Sequence, residues 1–117
     1  MVGTLQTVEN CDVIILLSHL GVTLDQLIVG YVPGINVNVC VHDHYKYEDP
    51  ITMSDPMGGT TWIVQARSNY LNAGKMSLLV DGTNVQLLGY QLIPIDTNIP
   101  QEPTVQAIVD GMITDIE

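Results

Sequence analysis

The sequence predicts an α/β domain, and three observations carry that prediction. Two apolar runs, Val13-Ile14-Ile15-Leu16-Leu17 and the segment 35–41, flank a short stretch with helical spacing. Two alternating segments then meet around Asp81-Gly82, a turn dipeptide. A helical apolar stripe closes the chain. The expected architecture is a βαβ unit plus a β-hairpin forming a small mixed sheet, with a C-terminal amphipathic helix.

Each element follows from its residues. The run 13–17 is uninterrupted by polar groups, as in a strand buried on both faces of a parallel sheet. Thr23 is the expected N-cap of a helix whose Leu24, Leu27, Ile28 and Tyr31 recur at helical spacing. Pro33-Gly34 ends that helix, and 35–41 returns as a second strand. Strand, helix and strand in about thirty residues read as a right-handed parallel crossover. Residues 45–60 read as a loop marked by Asp49-Pro50, Asp55-Pro56 and Gly58-Gly59. A third strand is expected over 62–66, and the hairpin strands over 75–80 and 85–93. Pro94, Pro100 and Pro103 punctuate an extended connector. Helix 104–116 follows, with Val105, Ile108, Val109, Met112, Ile113 and Ile116 on one stripe and Gly111 weakening it modestly.

At 117 residues the chain is long enough for one domain with a modest core. Thirteen acidic residues against Lys46, Arg67 and Lys75 give a formal charge of −10, which repels phosphate backbones and anionic lipid. No nucleic acid and no membrane is therefore expected as a partner. No stretch reaches the ~18–20 apolar residues of a membrane helix, and residues 1–10 carry no basic-plus-apolar signal segment. Only 14% of residues are charged and the mean hydropathy is +0.26, an apolar balance that fits either a generous core or a face reserved for another chain or domain. Cys11 and Cys40 are expected as free thiols, because they fall at opposite ends of neighbouring parallel strands.

The three histidines mark the candidate chemistry. His19 follows the first strand directly, and His42 and His44 follow the second. Imidazole is the commonest zinc ligand, and ligands gather at the carboxyl ends of strands in open α/β sheets. If 42–44 is extended, His42 and His44 share one side while Asp43 turns away. That spacing suits two metals, each taking one imidazole.

These residues also resemble a known family. The segment from Asp12 to Gly21, ending Ser18-His19-Leu20-Gly21, is similar to the Ser-His-x-Gly strand end of the 5′-nucleotidase branch of calcineurin-like metallophosphoesterases. Asp25, Val32-Pro33-Gly34-Ile35-Asn36 and His42-Asp43-His44 resemble that family's helix, its Pro-Gly-Ile-Asp turn and its Gly-His-x-His motif. Ile63-Val64-Gln65-Ala66 and 74–82 resemble its Val-Gln-Ala-Gly segment and the following strand. Leu92 to Asp96 and 99–109 resemble the linker and helix that lead to its nucleotide-binding domain.

The resemblance implies half of a metallophosphoesterase sandwich over residues 1–96, with 97–117 as linker and C-terminal helix. It implies His19 and His42 on one metal ion and His44 on the other, Zn or Mn being the expected divalent metal ions. It also implies a nucleotide or other phosphate ester as substrate of the parent family, whose members are often exported. Three departures stand out. The family's Asp-x-His, bridging Asp and Asn-His motifs are not found in residues 1–11, so no catalytic residue is assigned and the chain is expected to be inactive alone. Val41 and Arg67 stand where the family has glycine, crowding two turns. The missing N-terminal half, or self-association, is the expected partner. A non-catalytic oligomeric binding or assembly module is the alternative.

Other patterns carry less. Ser18 and His19 are adjacent, so their side chains diverge on a strand, and no third group orients them as a hydrolase triad would need. Asp12, Asp25, Asp43, Glu48 and Asp49 are carboxylates of a solvated acidic surface by default. Gly58-Gly59-Thr60 lacks the lysine and helix of a phosphate loop and reads as a turn. Arg67 is a surface residue that could meet an anion in the crevice.

Overall fold

A computed structural model describes residues 1–114. Its elements are α1 (Val2–Thr7), β1 (Ile15–Ser18), α2 (Val22–Tyr31), β2 (Val37–Cys40), β3 (Ile51–Ser54), β4 (Thr60–Val64), β5 (Asn72–Asp81), β6 (Asn84–Pro94) and α3 (Pro103–Thr114). The first four strands in spatial order, β1-β2-β4-β3, form one mixed sheet, and β5 and β6 form a separate two-stranded sheet. β1, β2 and β4 run parallel, and β3 pairs antiparallel with β4. The α/β class and the parallel β1-α2-β2 unit match the sequence reading.

Strand alternation divides the core between the two faces of the sheet. Val29, Ile35, Cys40 and Ile63 are buried together, with Val2, Leu16, Val22, Ile28 and Val32 packed around them. On the opposite face Val37, Trp62 and Val64 meet Met76, Leu78, Val85, Leu87 and Tyr90 of the hairpin. The hairpin thus serves as a lid over the second face rather than as an extension of the sheet.

Several expectations are corrected. The first strand is not buried on both faces. β1 lies at a sheet edge, where Ile15 and Leu17 are 55% and 76% exposed, because the hairpin covers the strands beyond it. Helix α2 starts from Gly21 rather than from Thr23, and Gly21 has φ 87°, a conformation glycine supplies without strain. Its buried side carries Asp25 and Val29, while Leu24, Leu27 and Tyr31 face outward. Apolar residues on both sides of this helix left its inward face ambiguous.

The stretch 45–60 is not all loop. Ile51–Ser54 pairs with β4, and an isolated bridge joins Lys46 to Ala66. A four-residue strand with a polar alternate face leaves little periodicity to read. The hairpin is longer than expected at both ends and carries an irregularity between Ser77 and Leu78.

Helix α3 begins at Pro103, a favourable first helical position, and Glu102 accepts the Val105 N–H at 2.7 Å. Its apolar residues Val105, Ile108, Val109, Met112 and Ile113 are all exposed. Ile116 lies outside the described residues. The segment 2–7, unassigned from sequence, is helical and packs Val2 against the core. Both cysteines are free. Among the described residues no helix is long and apolar enough to cross a membrane.

Candidate functional site

The register of the parallel strands positions the histidines. Ser18 lies opposite Cys40, and the Val41 N–H donates to the Ser18 carbonyl at 3.0 Å. His19 and His42 therefore emerge from neighbouring strand ends on the same rim. β4 runs parallel beside β2, so Gln65 and Arg67 leave from the third carboxyl end on that rim. A cavity of about 500 Å3 forms there, lined by His19, Val41, His42, His44, Gln65, Arg67, Ser68, Asn69, Tyr70 and Asn72. This is the crevice that an open α/β sheet offers at its carboxyl edge.

The His19 and His42 rings lie edge to face with centroids 5.6 Å apart. Two imidazoles on one tetrahedral zinc have ring centres about 5 Å apart, given nitrogen–metal distances of ~2.0–2.1 Å. His44 shares the cavity. Its approach differs from the sequence expectation, because 42–44 is bent rather than extended, with His42 at φ 97° and His44 at φ 62°. Left-handed backbone at two non-glycine residues is strained.

Asp43, between them, turns away and accepts the Val22 N–H at the start of α2. A Cβ on Gly21 would sit in tight contact, 3.0 Å from an Asp43 oxygen, and the φ of 87° is what favours glycine there. Asp43 thereby fixes the turn that carries both histidines to the helix behind it. Its carboxylate satisfies a free amide and complements the helix N-terminus.

Beneath the cavity rim Cys40 is fully buried. Burial first, then the neighbouring Asp25 carboxylate, pushes its thiol up to about 12. Neutral at ordinary pH, Cys40 acts as a small packing group. Asp25 is likewise fully buried, and among the described residues its oxygens have no hydrogen-bond partner.

A metal ion is implied by the resemblance, and the donor set tests the fit. The His19–His42 spacing suits two positions of one ion's shell. Among the described residues, no group of three histidine, cysteine or carboxylate side chains is gathered closely enough to hold a metal ion. Among the described residues the three histidines share a cavity without forming a complete metal site. Asp25, Asp43, Glu48 and Asp49 do not line this cavity.

Sequence reasoning found the histidines and noted Arg67. It missed Tyr70 and Asn72, which reach the cavity only because the 67–71 loop folds back. The Leu71 N–H donates to the Ser68 carbonyl at 3.3 Å, and Asn72 Nδ2 donates to the Ala66 carbonyl at 3.2 Å. Nothing in local composition signals that return. Arg67 itself has φ 74°, so the crowding expected where the family has glycine is present at that residue.

The fold recurs in solved structures. The crystal structure of a 5′-nucleotidase precursor from Thermus thermophilus matches 98% of this chain with a TM-score of 0.85 and 20% sequence identity. The NAD nucleotidase of Haemophilus influenzae matches 94% of it with a TM-score of 0.70 and 17% identity. The likeness is one of fold, to part of each of those two structures. The chain spans only about a quarter of each of those proteins, 25% and 27% of their lengths. No family model matches the sequence, and no curated protein does.

Proposed function

We propose that this chain is part of a 5′-nucleotidase-type, metal-dependent phosphoesterase, with residues 1–96 as part of its catalytic domain and 97–117 as linker and helix. The observation that carries the reading is the 5.6 Å approach of the His19 and His42 rings at the ends of adjacent parallel strands. His19 and His42 would hold one divalent ion, Zn or Mn, and His44 would contribute to a second. Such ions supply Lewis-acid stabilisation of a phosphoryl group and an activated water. The part played by these residues is to hold imidazoles in place on a rigid strand register, with Asp43 fixing the turn from behind. Carboxylate ligands would come from a complementary segment such as the family's N-terminal half, and nucleotides or related phosphate esters are the substrate class.

The test has two parts. Zn²⁺ or Mn²⁺ titrated into the chain should bind, with affinity falling at least tenfold in His19→Ala and His42→Ala, as for loss of one ligand. Hydrolysis of a chromogenic phosphate ester and of nucleoside monophosphates should be absent from the chain alone. Turnover that disappears in His42→Ala would overturn the claim that it needs a complement, and unaltered metal affinity in both variants would overturn the metal reading.

The exposed Ile15 and Leu17 at the β1 edge favour a second reading, a non-catalytic assembly module that pairs through this face. Light scattering with and without a chelator separates the two. A metal-independent dimer favours assembly, and a chain that requires metal to fold favours the metalloenzyme.

A further inference from the structure

Two helices of this chain present apolar faces to solvent, and the two faces suit each other. Helix α2 turns Asp25 and Val29 inward, and on its far side Leu24, Leu27 and Tyr31 are 49%, 52% and 80% exposed. Their i, i+3, i+7 spacing draws one narrow seam, the kind that a second helix fills. Helix α3 exposes Val105, Ile108, Val109, Met112 and Ile113, a broader stripe at helical spacing. A helix as short as α3 is marginal in water unless such a stripe packs on something.

Both seams are also uncharged, in a chain of net −10. Between Asp12 and Asp43 the only Asp, Glu, Lys or Arg is Asp25, which is buried. On α3 the single charge within 103–114 is Asp110, and Gln106 Nε2 donates to it at 2.6 Å on the flank of the stripe. Two such acidic copies repel wherever carboxylates face carboxylates, so a neutral seam is where they can approach. Gly30, beside Leu27, adds room. Among the described residues nothing lies within 4 Å of the position its Cβ would take, and its φ is not left-handed. Glycine inside a helix costs about 1 kcal/mol relative to alanine, and the close approach of a second backbone gives it a reason to be there.

We propose that the chain forms a two-fold dimer in which α3 of each copy lies along the Leu24, Leu27 and Tyr31 seam of the other copy's α2. A stable dimer buries about 800 Å2 per partner. The α2 seam alone is too small for that, and pairing it with itself would leave α3 bare. Reciprocal exchange makes the same contact twice and covers all four seams within one closed symmetry. Neither the histidine cavity nor the β1 edge supplies a residue, so the contact is independent of both readings above. It forms with or without metal, and a variant rather than the chelator tells it from pairing through β1.

The experiment is sedimentation of the full chain over a dilution series, in chelator and at low and high salt. A dimer is expected, tightened by salt as the repulsion between acidic copies is screened. Leu27→Lys and Ile108→Glu should each raise its dissociation constant about tenfold or more, while circular dichroism shows both variants folded as the parent is. Combining the two in one chain should restore the dimer, because exchange sets the introduced ammonium against the introduced carboxylate. Self-pairing of α2 or of α3 would set like charges together, so a double variant that stays monomeric overturns the proposal. A dimer that survives both single changes and is lost in Leu17→Lys also overturns it and leaves the β1-edge assembly standing. Weakening by salt would mean a charged interface and count against it equally. A parent chain monomeric throughout overturns it as well, whether α3 folds back on its own α2 or the seams serve another protein or a neutral bilayer.

Discussion

Asp55 accepts the backbone N–H of Gly34 at 2.9 Å across 21 residues, joining the turn after α2 to the turn between β3 and β4. The same carboxylate accepts the N–H groups of Met57 and Gly59, each at 2.8 Å. A Cβ on Gly59 would lie 2.7 Å from an Asp55 oxygen, so the turn closes only around glycine. Through this link the antiparallel edge of the sheet is tied to the crossover that places β2 and, beyond it, His42.

Asp55→Ala should cost about 2–4 kcal/mol, because three amides lose a charged acceptor and the site is buried. The acid limb of stability should report the same group. The Gly34 N–H first, with those of Gly59 and Met57 outweighing burial, holds the carboxyl below its ordinary range. A depressed folded-state value means the contribution is fully present above the unfolded value of ~3.9 and is lost as pH falls through the folded one. Urea denaturation from neutral to strongly acid pH should show the gap between parent and Asp55→Asn narrowing below about pH 4. A gap independent of pH would rule the assignment out.

The strained residues of the cavity should trade stability against binding. His42 at φ 97° and Arg67 at φ 74° each hold a conformation that glycine adopts freely. His42→Gly and Arg67→Gly are each expected to stabilise the chain by about 0.5–1 kcal/mol, part of the relieved strain being offset by the freer unfolded chain. Thermal melts should show both midpoints rising, while metal affinity falls in the first. Lowered midpoints would mean that these side chains support the fold.

The two thiols should differ in reactivity. Cys40, buried and pushed up to about 12, stays protonated at pH 8, whereas Cys11 is only half-buried. Brief alkylation of the native protein followed by peptide mass mapping should label Cys11 and spare Cys40, both reacting once the chain is unfolded. Equal labelling in the native state would contradict the burial of Cys40.

Core and edge positions should respond oppositely. Ile63 is fully buried in the sheet, and Ile63→Ala should cost about 3–4 kcal/mol. Leu17, 76% exposed, should tolerate Leu17→Lys within about 0.5 kcal/mol in the isolated chain. A large loss at Leu17 with light scattering unchanged would show that β1 is covered in solution.

The sequence by itself determined the α/β class, the parallel β1-α2-β2 unit, the hairpin and the rim on which all three histidines stand. Strand runs, turn residues and the order of elements are local properties, and the position of a residue just past a strand end follows from them. Tertiary structure alone decided which surfaces are covered. The run 13–17 looks doubly buried until the strand order puts it at an edge, and α2 shows two apolar sides until packing selects the one with Asp25 and Val29. It also decided the cavity's membership. Arg67, Tyr70 and Asn72 line the same cavity as the histidines because β4 lies beside β2 and the loop after it folds back. Those are long-range relations, set by pairing and layer packing between segments far apart in the chain, and no local periodicity encodes them.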